Sequence, residues 1–312
     1  MLGIDEKILR LTLGLAAVTV ALAQSPAPVA QPQRPIPEIE HIVIISVDGL
    51  RPDRLLLANS PVMHAMVQEG AYTFWAKTTA VSITLPSHVS MLTGVNPRKH
   101  KIEWNDDLPL KEPVYPKQPT IFEMAKKIGY TTALVSGKAK FGPLTKPGTL
   151  DYVFMPEKDL EVDEPVCVQA VDVITRLKPN VLFVHFPAND KAGHKYGWGS
   201  AEQMVAIEKA DACIGRIVAA LEQAGIKGST FMIVTADHGG AGLTHGPDDP
   251  RSRTIPWIAT GPRVRKKFDL TQIDLLEVRT EDTGATACWL LGLALPVYFD
   301  GKPVRQAFLE GK

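Results

Sequence analysis

The sequence predicts an α/β fold: a mostly parallel central sheet with helices on both faces, in one domain. Three observations carry this. Several runs, HIVIISVD (41–48), NVLFVHFPAND (180–190) and TFMIVTADHGG (230–240), are continuously apolar and rich in β-branched residues, the pattern of strands covered on both faces. Segments of helical period separate them, which favours a layered parallel sheet. Third, 45% apolar and 22% charged residues over 312 positions is ordinary globular composition, sufficient for a full core. With 34 basic and 34 acidic residues the net charge is zero, so bulk charge gives no support to nucleic-acid or membrane binding.

The chain opens on a segment that reads as a leader. Lys7 and Arg10 precede an uncharged run of 13 residues, Leu11–Ala23, shorter than the ~20 residues of a bilayer span. Ala21-Leu22-Ala23 fits a small-x-small cleavage site, so residues 1–23 are expected to be a cleaved signal peptide. An uncleaved membrane anchor and a buried helix are the alternatives. Five prolines in residues 24–37 suggest a stiff, solvated tether over 24–38, and the domain is expected over 39–312. The expected location is periplasmic or secreted. Cys167, Cys213 and Cys288 form no Cys-x-x-Cys, and Cys213 and Cys288 fall in apolar patterns. Buried small hydrophobes are the favoured reading of all three, with the pairing of two of them left open.

From residue 41 onward the elements follow in order. HIVIISVD is a strand ending in an acid, Ala58–Glu69 a helix, and AYTFWA a short strand. LPSHVSMLTG (85–94) reads as a helix closed by Gly94. Thr120–Ile128 is helical, TTALVSG a strand, Val166–Leu177 helical, and 180–190 a strand with a polar end. Glu202–Ala224 is a long helix, 230–240 a strand, TIPWIATGP (254–262) another, and Thr283–Leu291 a late helix. Residues 101–119 and 138–165 are polar and irregular, as expected of a rim around a site.

Three of the strand-like runs end in acids: Asp48, Asp190 and Asp237. The carboxyl ends of strands in an open α/β sheet face the ligand crevice. One such aspartate is ordinarily a turn former or helix cap. Three, with His194 four residues after Asp190 and His238 and His245 following Asp237, form a constellation. Carboxylates mixed with imidazoles suit zinc or manganese. His41, His64 and His185 are isolated and read as structural. Thr84 stands where a helix is expected to begin, and a helix N-terminus suits a phosphate. Taken alone, Thr84 is an ordinary cap.

Together, IISVDGLRPD, SITLPSHVSMLTGVNPRKH, NDKAGHKYG and TADHGG followed by THG resemble the alkaline phosphatase superfamily, in its nucleotide pyrophosphatase/phosphodiesterase branch. The resemblance runs from about His41 to the closing segment LLGLALPVYFDGKPV. By position it implies Thr84 as the nucleophile. It implies Asp48, Thr84, Asp237 and His238 around one zinc ion, and Asp190, His194 and His245 around a second. Asn105 falls where that branch places an asparagine on a phosphoryl oxygen, although Lys101 stands where a glycine is usual. The chain departs from the branch between His238 and His245, where typical members carry a long insertion and seven residues suffice here. Sulfatases share the spacing, but Thr84 cannot become their formylglycine and His88 replaces their arginine.

The resemblance therefore implies an exported two-metal hydrolase of phosphodiester or pyrophosphate bonds acting through a phospho-threonine. Its partner would be a small-molecule phosphate ester, nucleotides among the candidates, with no obligate nucleic acid and no membrane once the leader is removed. The alternatives are a phosphomonoesterase or phosphonate-related hydrolase with the same metals, and a non-catalytic metal-binding protein. The segment from Thr84 through Gly94 has no arginine to meet the extra charge of a monoester, which favours diesters.

Overall fold

The computed structural model describes residues 33–106 and 114–309. The expected leader lies outside the described residues, as does most of the expected tether. Of that tether, residues 33–38 are described, and Ile36 is buried in the core. Among the described residues no helix is long and apolar enough to cross a membrane.

In chain order the strands are β1 (His41–Val47), β2 (Ala71–Lys77), β3 (Thr132–Ser136), β4 (Tyr152–Phe154), β5 (Val181–Phe186), β6 (Thr230–Thr235), β7 (Thr254–Thr260) and β8 (Phe268–Asp269). The helices are α1 (Pro52–Leu57), α2 (Pro61–Glu69), α3 (Thr84–Thr93), α4 (Pro97–His100), α5 (Ile121–Lys127), α6 (Glu164–Leu177), α7 (Ala188–Tyr196), α8 (Ala201–Gln223), α9 (Pro250–Arg253) and α10 (Thr280–Leu290). The strands form one sheet in the order β4-β3-β5-β1-β6-β7-β2-β8. It is mostly parallel, as expected. The exception is β7, antiparallel to both β6 and β2.

Every residue of β1, β3, β5 and β6 is buried, so both faces of the sheet are covered. The helices doing this pack in two groups, α3 with α5 and α10, and α6 with α7, α8 and α2. Strand β1 lies between β5 and β6, with Ser46 in register with both His185 and Thr235. The three parallel strands therefore end side by side. That alignment carries the chain from Val47 and Thr235 directly into Asp48 and Asp237.

Several elements differ from expectation for local reasons. The run 180–190 is not one strand: β5 stops at Phe186, and α7 starts at Ala188. Pro187 has no N–H to continue a ladder, and its backbone is already helical. Helix α2 begins at Pro61 rather than residue 58, because Ser60, preceding a proline, is held out of helical geometry. Helix α10 begins three residues early, where the Asp282 carboxylate accepts the Arg279 N–H at 2.7 Å. Short elements escaped the sequence reading: β4 and a 3₁₀ turn at Ala139–Leu144 inside the expected loop 138–165, and α1, α4, α9 and β8 elsewhere. Gly94 closes α3 as expected, at φ +68°.

Candidate metal centre

Two groups of side chains at the carboxyl ends of β1, β5 and β6 could each hold a metal ion. Asp48, Asp237 and His238 form one, and Asp190, His194 and His245 the other; within each, ligand-capable atoms lie within 4.8 Å of one another. In the first, His238 Nε2 is 3.3 Å from Asp48 Oδ1 and 3.2 Å from Asp237 Oδ2. In the second, His194 Nε2 is 3.3 Å and His245 Nε2 3.8 Å from Asp190 Oδ1. Helix α7 explains the Asp190–His194 spacing, since residues four apart share one helix face. The His245 ring stacks on His238 at 3.6 Å between centroids, so the two groups adjoin. The short turn after His238 thus directs His245 toward Asp190.

The imidazoles are oriented from behind. His194 Nδ1 donates to Leu243 O at 2.9 Å, His245 Nδ1 to Ser82 O at 2.9 Å, and His238 Nδ1 to Gly239 O at 2.8 Å. A carbonyl can only accept, so each Nδ1 carries the proton and each Nε2 lone pair faces the carboxylates. That is the tautomer a metal ligand needs. Asp48 Oδ1, Asp190 Oδ1 and Asp237 Oδ2 are buried with no hydrogen-bond partner, an uncompensated arrangement that suits cations. The residues present fit two divalent ions.

Thr84 opens α3 and is buried, with Oγ1 3.3 Å from His238 Nε2. Its neighbours in sequence are occupied elsewhere. Ser82 Oγ donates to Thr79 O at 3.2 Å, and Ser87 Oγ bonds the Thr79 hydroxyl at 2.9 Å. Asn105 Oδ1 accepts the Leu85 N–H at 2.9 Å, which ties it to the first turn of α3 beside Thr84. Lys101 adopts φ +69°, ψ 11°, the left-handed geometry that suits the glycine usual there. Lys99 is turned away to Asp300 and Tyr298 O.

Residues 42–249 match the family model for type I phosphodiesterase / nucleotide pyrophosphatase, well over half of the chain. The chain belongs to this family. Human bis(5'-adenosyl)-triphosphatase ENPP4 is 26% identical over 64% of this chain and 47% of its own length. The chain spans about half the length of the curated relatives it matches. Murine ectonucleotide pyrophosphatase/phosphodiesterase 5 superposes with a TM-score of 0.71 at 17% identity, over 86% of this chain and 100% of that one. An inactive threonine-to-alanine variant of that murine protein was solved with AMP. A 2-O GAG sulfatase shares the fold with a TM-score of 0.69 at 16% identity, over 86% of this chain and 74% of its own.

Beyond the residues the family resemblance supplies, the candidate site has members that sequence reasoning missed. Lys138 Nζ lies 2.6 Å from Asp48 Oδ2 and 2.7 Å from Asp190 Oδ2, bridging the two groups. It stands two residues past the end of β3, so the strand-end rule that singled out Asp48 also covers it. His185, read as merely structural, donates its Nε2–H to Asp48 Oδ2 at 3.1 Å and so helps orient it. Asn189 Nδ2 donates to Asp48 O at 2.6 Å. Trp198 packs onto three glycines of the site: a Cβ on Gly240 would meet its ring at 2.2 Å, on Gly193 at 2.8 Å and on Gly49 at 3.2 Å. Its Nε1 donates to Gly49 O at 2.9 Å. His41 and His64 bond Pro179 O and Ser60, and take no part in either group.

The electrostatics follow from crowding. Burial pushes the Asp48 carboxyl up, but the Lys138 ammonium and the His185 contact prevail and hold it well below the carboxylate range. Burial and then the Asp48 charge push Asp237 well above that range. His238 is lowered to about 4 by burial and by His245, so it stays neutral at pH 7. Further back, burial, joined by the Asp48 charge, raises Asp163 to about 7. Asp163 Oδ1 accepts the first N–H of α7, from Ala188, at 2.9 Å.

Two predictions follow from these charges. Lys138→Met leaves Asp48 and Asp190 with no cation between them, so chelator-treated protein should lose ~3–5 kcal/mol of stability. Zinc should narrow that deficit; urea melts of wild type and variant, with chelator and with zinc, measure it. Asp163 keeps its proton in the folded chain up to about pH 7, whereas the unfolded carboxyl releases it near pH ~4. Its contribution is thus fully present below pH ~4 and lost as pH rises to ~7, because the folded state binds the extra proton. Asp163→Asn has no proton to lose, so its stability relative to wild type should climb across that window, by up to roughly 4 kcal/mol. Denaturant midpoints at pH 4, 5.5 and 7 would reveal a flat difference if the proton is not there.

Proposed function

We propose that the chain is an exported two-metal phosphoesterase that hydrolyses phosphodiester or pyrophosphate bonds through a phospho-threonine on Thr84. The observation that carries the reading is the position of Thr84 Oγ1, at a helix start and 3.3 Å from His238 Nε2, while the Ser82 and Ser87 hydroxyls bond elsewhere. Family membership and the inactivity of the murine relative's threonine-to-alanine variant support it. Asp48, Asp237 and His238 with Thr84 would hold one ion, and Asp190, His194 and His245 the other; zinc suits this mixture of oxygen and imidazole donors.

Bound divalent ions would supply charge neutralisation at phosphorus and acidify a coordinated hydroxyl or water. The protein's own residues do the rest. Thr84 Oγ1 gives up its proton and attacks phosphorus, forming the Oγ1–P bond as the bond to the leaving oxygen breaks, and the released proton ends on that leaving oxygen. The α3 N-terminus favours the anion by its dipole. Asn105 uses its carbonyl on Leu85 N–H, which leaves its amide NH₂ to donate to a non-bridging oxygen. Water then attacks phosphorus, its O–P bond forming as the Oγ1–P bond breaks; one water proton ends on Thr84 Oγ1 and the hydroxyl leaves with the phosphate. Such transfer depends on positioning and electrostatics more than on covalent chemistry by the protein.

A monoesterase reading is favoured by one observation, the Lys138 ammonium between the two groups, which could meet the extra charge of a monoester. Against it stands the absence of arginine from α3. Rates on bis-p-nitrophenyl phosphate and p-nitrophenyl phosphate with zinc-loaded protein separate the two: a faster monoester rate would reverse the preference.

Thr84→Ala should lower turnover on the order of 10³-fold or more while folding and zinc binding persist. Thr84→Ser should retain part of the activity. Acid-trapped phosphoenzyme, digested and sequenced by mass spectrometry, should carry phosphate on Thr84; phosphate on Ser87 would overturn the mechanism. The export reading rests on Leu11–Ala23 and Ala21-Leu22-Ala23. N-terminal sequencing of protein recovered outside the cytoplasm should begin near Gln24, and an intact Met1 on cytosolic protein would contradict it.

A further inference from the structure

Away from the metal centre, α6 and α8 pack against each other and bring two cysteines together. Cys167 on α6 and Cys213 on α8 are both buried, 46 positions apart in sequence, with Cys167 Sγ 3.9 Å from Cys213 O. The two sulfur atoms and a Glu164 carboxylate oxygen all lie within 4.8 Å of one another. We propose that Cys167 and Cys213 are a disulfide-forming pair that cross-links α6 to α8. Bonding the sulfurs requires an approach of at most roughly 2.7 Å, the difference between that spacing and an S–S bond of ~2.05 Å. This is within reach of side-chain rotation with small shifts of the two helices.

The surroundings favour a thiol pair over a metal site. Glu164 is exposed and already engaged by Arg216 Nη1, at 2.8 and 2.7 Å to its two oxygens. That leaves two sulfurs, short of the four ligands of a structural zinc. Hydrogen bonding from the Cys213 thiol, aided by the nearby Arg216 charge, holds the Cys167 thiol below its ordinary range. Cys288 sits in the other helix group, on α10, where burial pushes its thiol up to about 12.

The step needs a small disulfide oxidant, such as oxidised glutathione. The Cys167 thiolate attacks one sulfur of the oxidant, breaking its S–S bond and releasing one thiolate. The Cys213 thiolate then attacks Cys167 Sγ, forming the protein disulfide and releasing the second. Two electrons pass to the oxidant, and the two protein protons end on the two released thiols. The cross-link closes a loop that contains β5 and α7, and with them Asp190 and His194, without touching either. The inference does not depend on the phosphoesterase reading.

The test uses the full chain, with its three cysteines. One sample is reduced and then incubated with oxidised glutathione; a second is refolded from urea in a mixture of reduced and oxidised glutathione. Each is denatured, alkylated with N-ethylmaleimide and weighed intact. The expected result, in at least the refolded sample, is one label per chain, three after reduction, and a Cys167–Cys213 peptide in a non-reducing digest. Cys288→Ser should then take no label. The cross-linked form should also melt at a higher temperature than its reduced form. Three labels in both samples, or glutathione adducts without the linked peptide, would overturn the proposal. Thiols protected only by added zinc and freed by a chelator would overturn it in favour of a metal site.

Discussion

The centre of this molecule is governed by charge crowding. Asp48, Asp190 and Asp237 are buried together, each with an oxygen that lacks a hydrogen-bond partner. Burial alone disfavours their ionised forms, and mutual repulsion adds to it. The Lys138 ammonium answers part of that charge, holding Asp48 and Asp190 in their ionised form while Asp237 is driven toward protonation. What surrounds the carboxylates is arranged on the same terms: three imidazoles with their Nδ1 protons on carbonyls, and a helix N-terminus at Thr84. Such a cluster is unfavourable in an apolar core and reasonable as a receptor for cations.

The backbone is held in unusual forms to support this. Ser82 adopts φ +48°, which side chains other than glycine's rarely tolerate, and its carbonyl receives the His245 Nδ1–H. Strain of this kind persists where surrounding contacts over-determine it. Trp198 supplies a second constraint. Its indole lies against Gly49, Gly193 and Gly240, and within 5.1 Å of the His194 ring and 5.9 Å of the His245 ring. One aromatic side chain thus sets the spacing of the three segments that carry Asp48, Asp190 and Asp237. The glycines are explained by that contact, since at Gly240 even a methyl group would collide with the ring.

Much of the fold was legible because apolar runs and helical periods are local signals. The central strands, the long helix α8 and the end of α3 at Gly94 were readable in this way. So were Asp48 and Asp237, through the rule that strand ends face the crevice. Helix α7 was not, because the apolar run of β5 continues through Pro187 and only the proline's missing donor marks the change. Lys138 was within reach of the strand-end rule, two residues past β3, and was overlooked; its partners, like those of Trp198 and His185, were hidden for another reason. Each acquires its role from a neighbour distant in sequence, and neither periodicity nor local spacing encodes such a partner. His194 and His245 were readable from their spacing to Asp190 and Asp237, and the family resemblance added their division between two ions and the role of Thr84, while the geometry of Asn105 against Leu85 N–H had no signal in the chain.

The hydrogen bond from Gly49 N–H to Asp237 Oδ1 spans 188 positions. Closing so long a loop has an entropic cost that falls before the contact can repay it. The Asp48, Asp237 and His238 group therefore converges only after β6 has paired with β1. A metal at that group would hold the finished chain together, but the group itself does not exist until β6 has joined β1. Supplying metal should then slow unfolding far more than it speeds the search for the native topology.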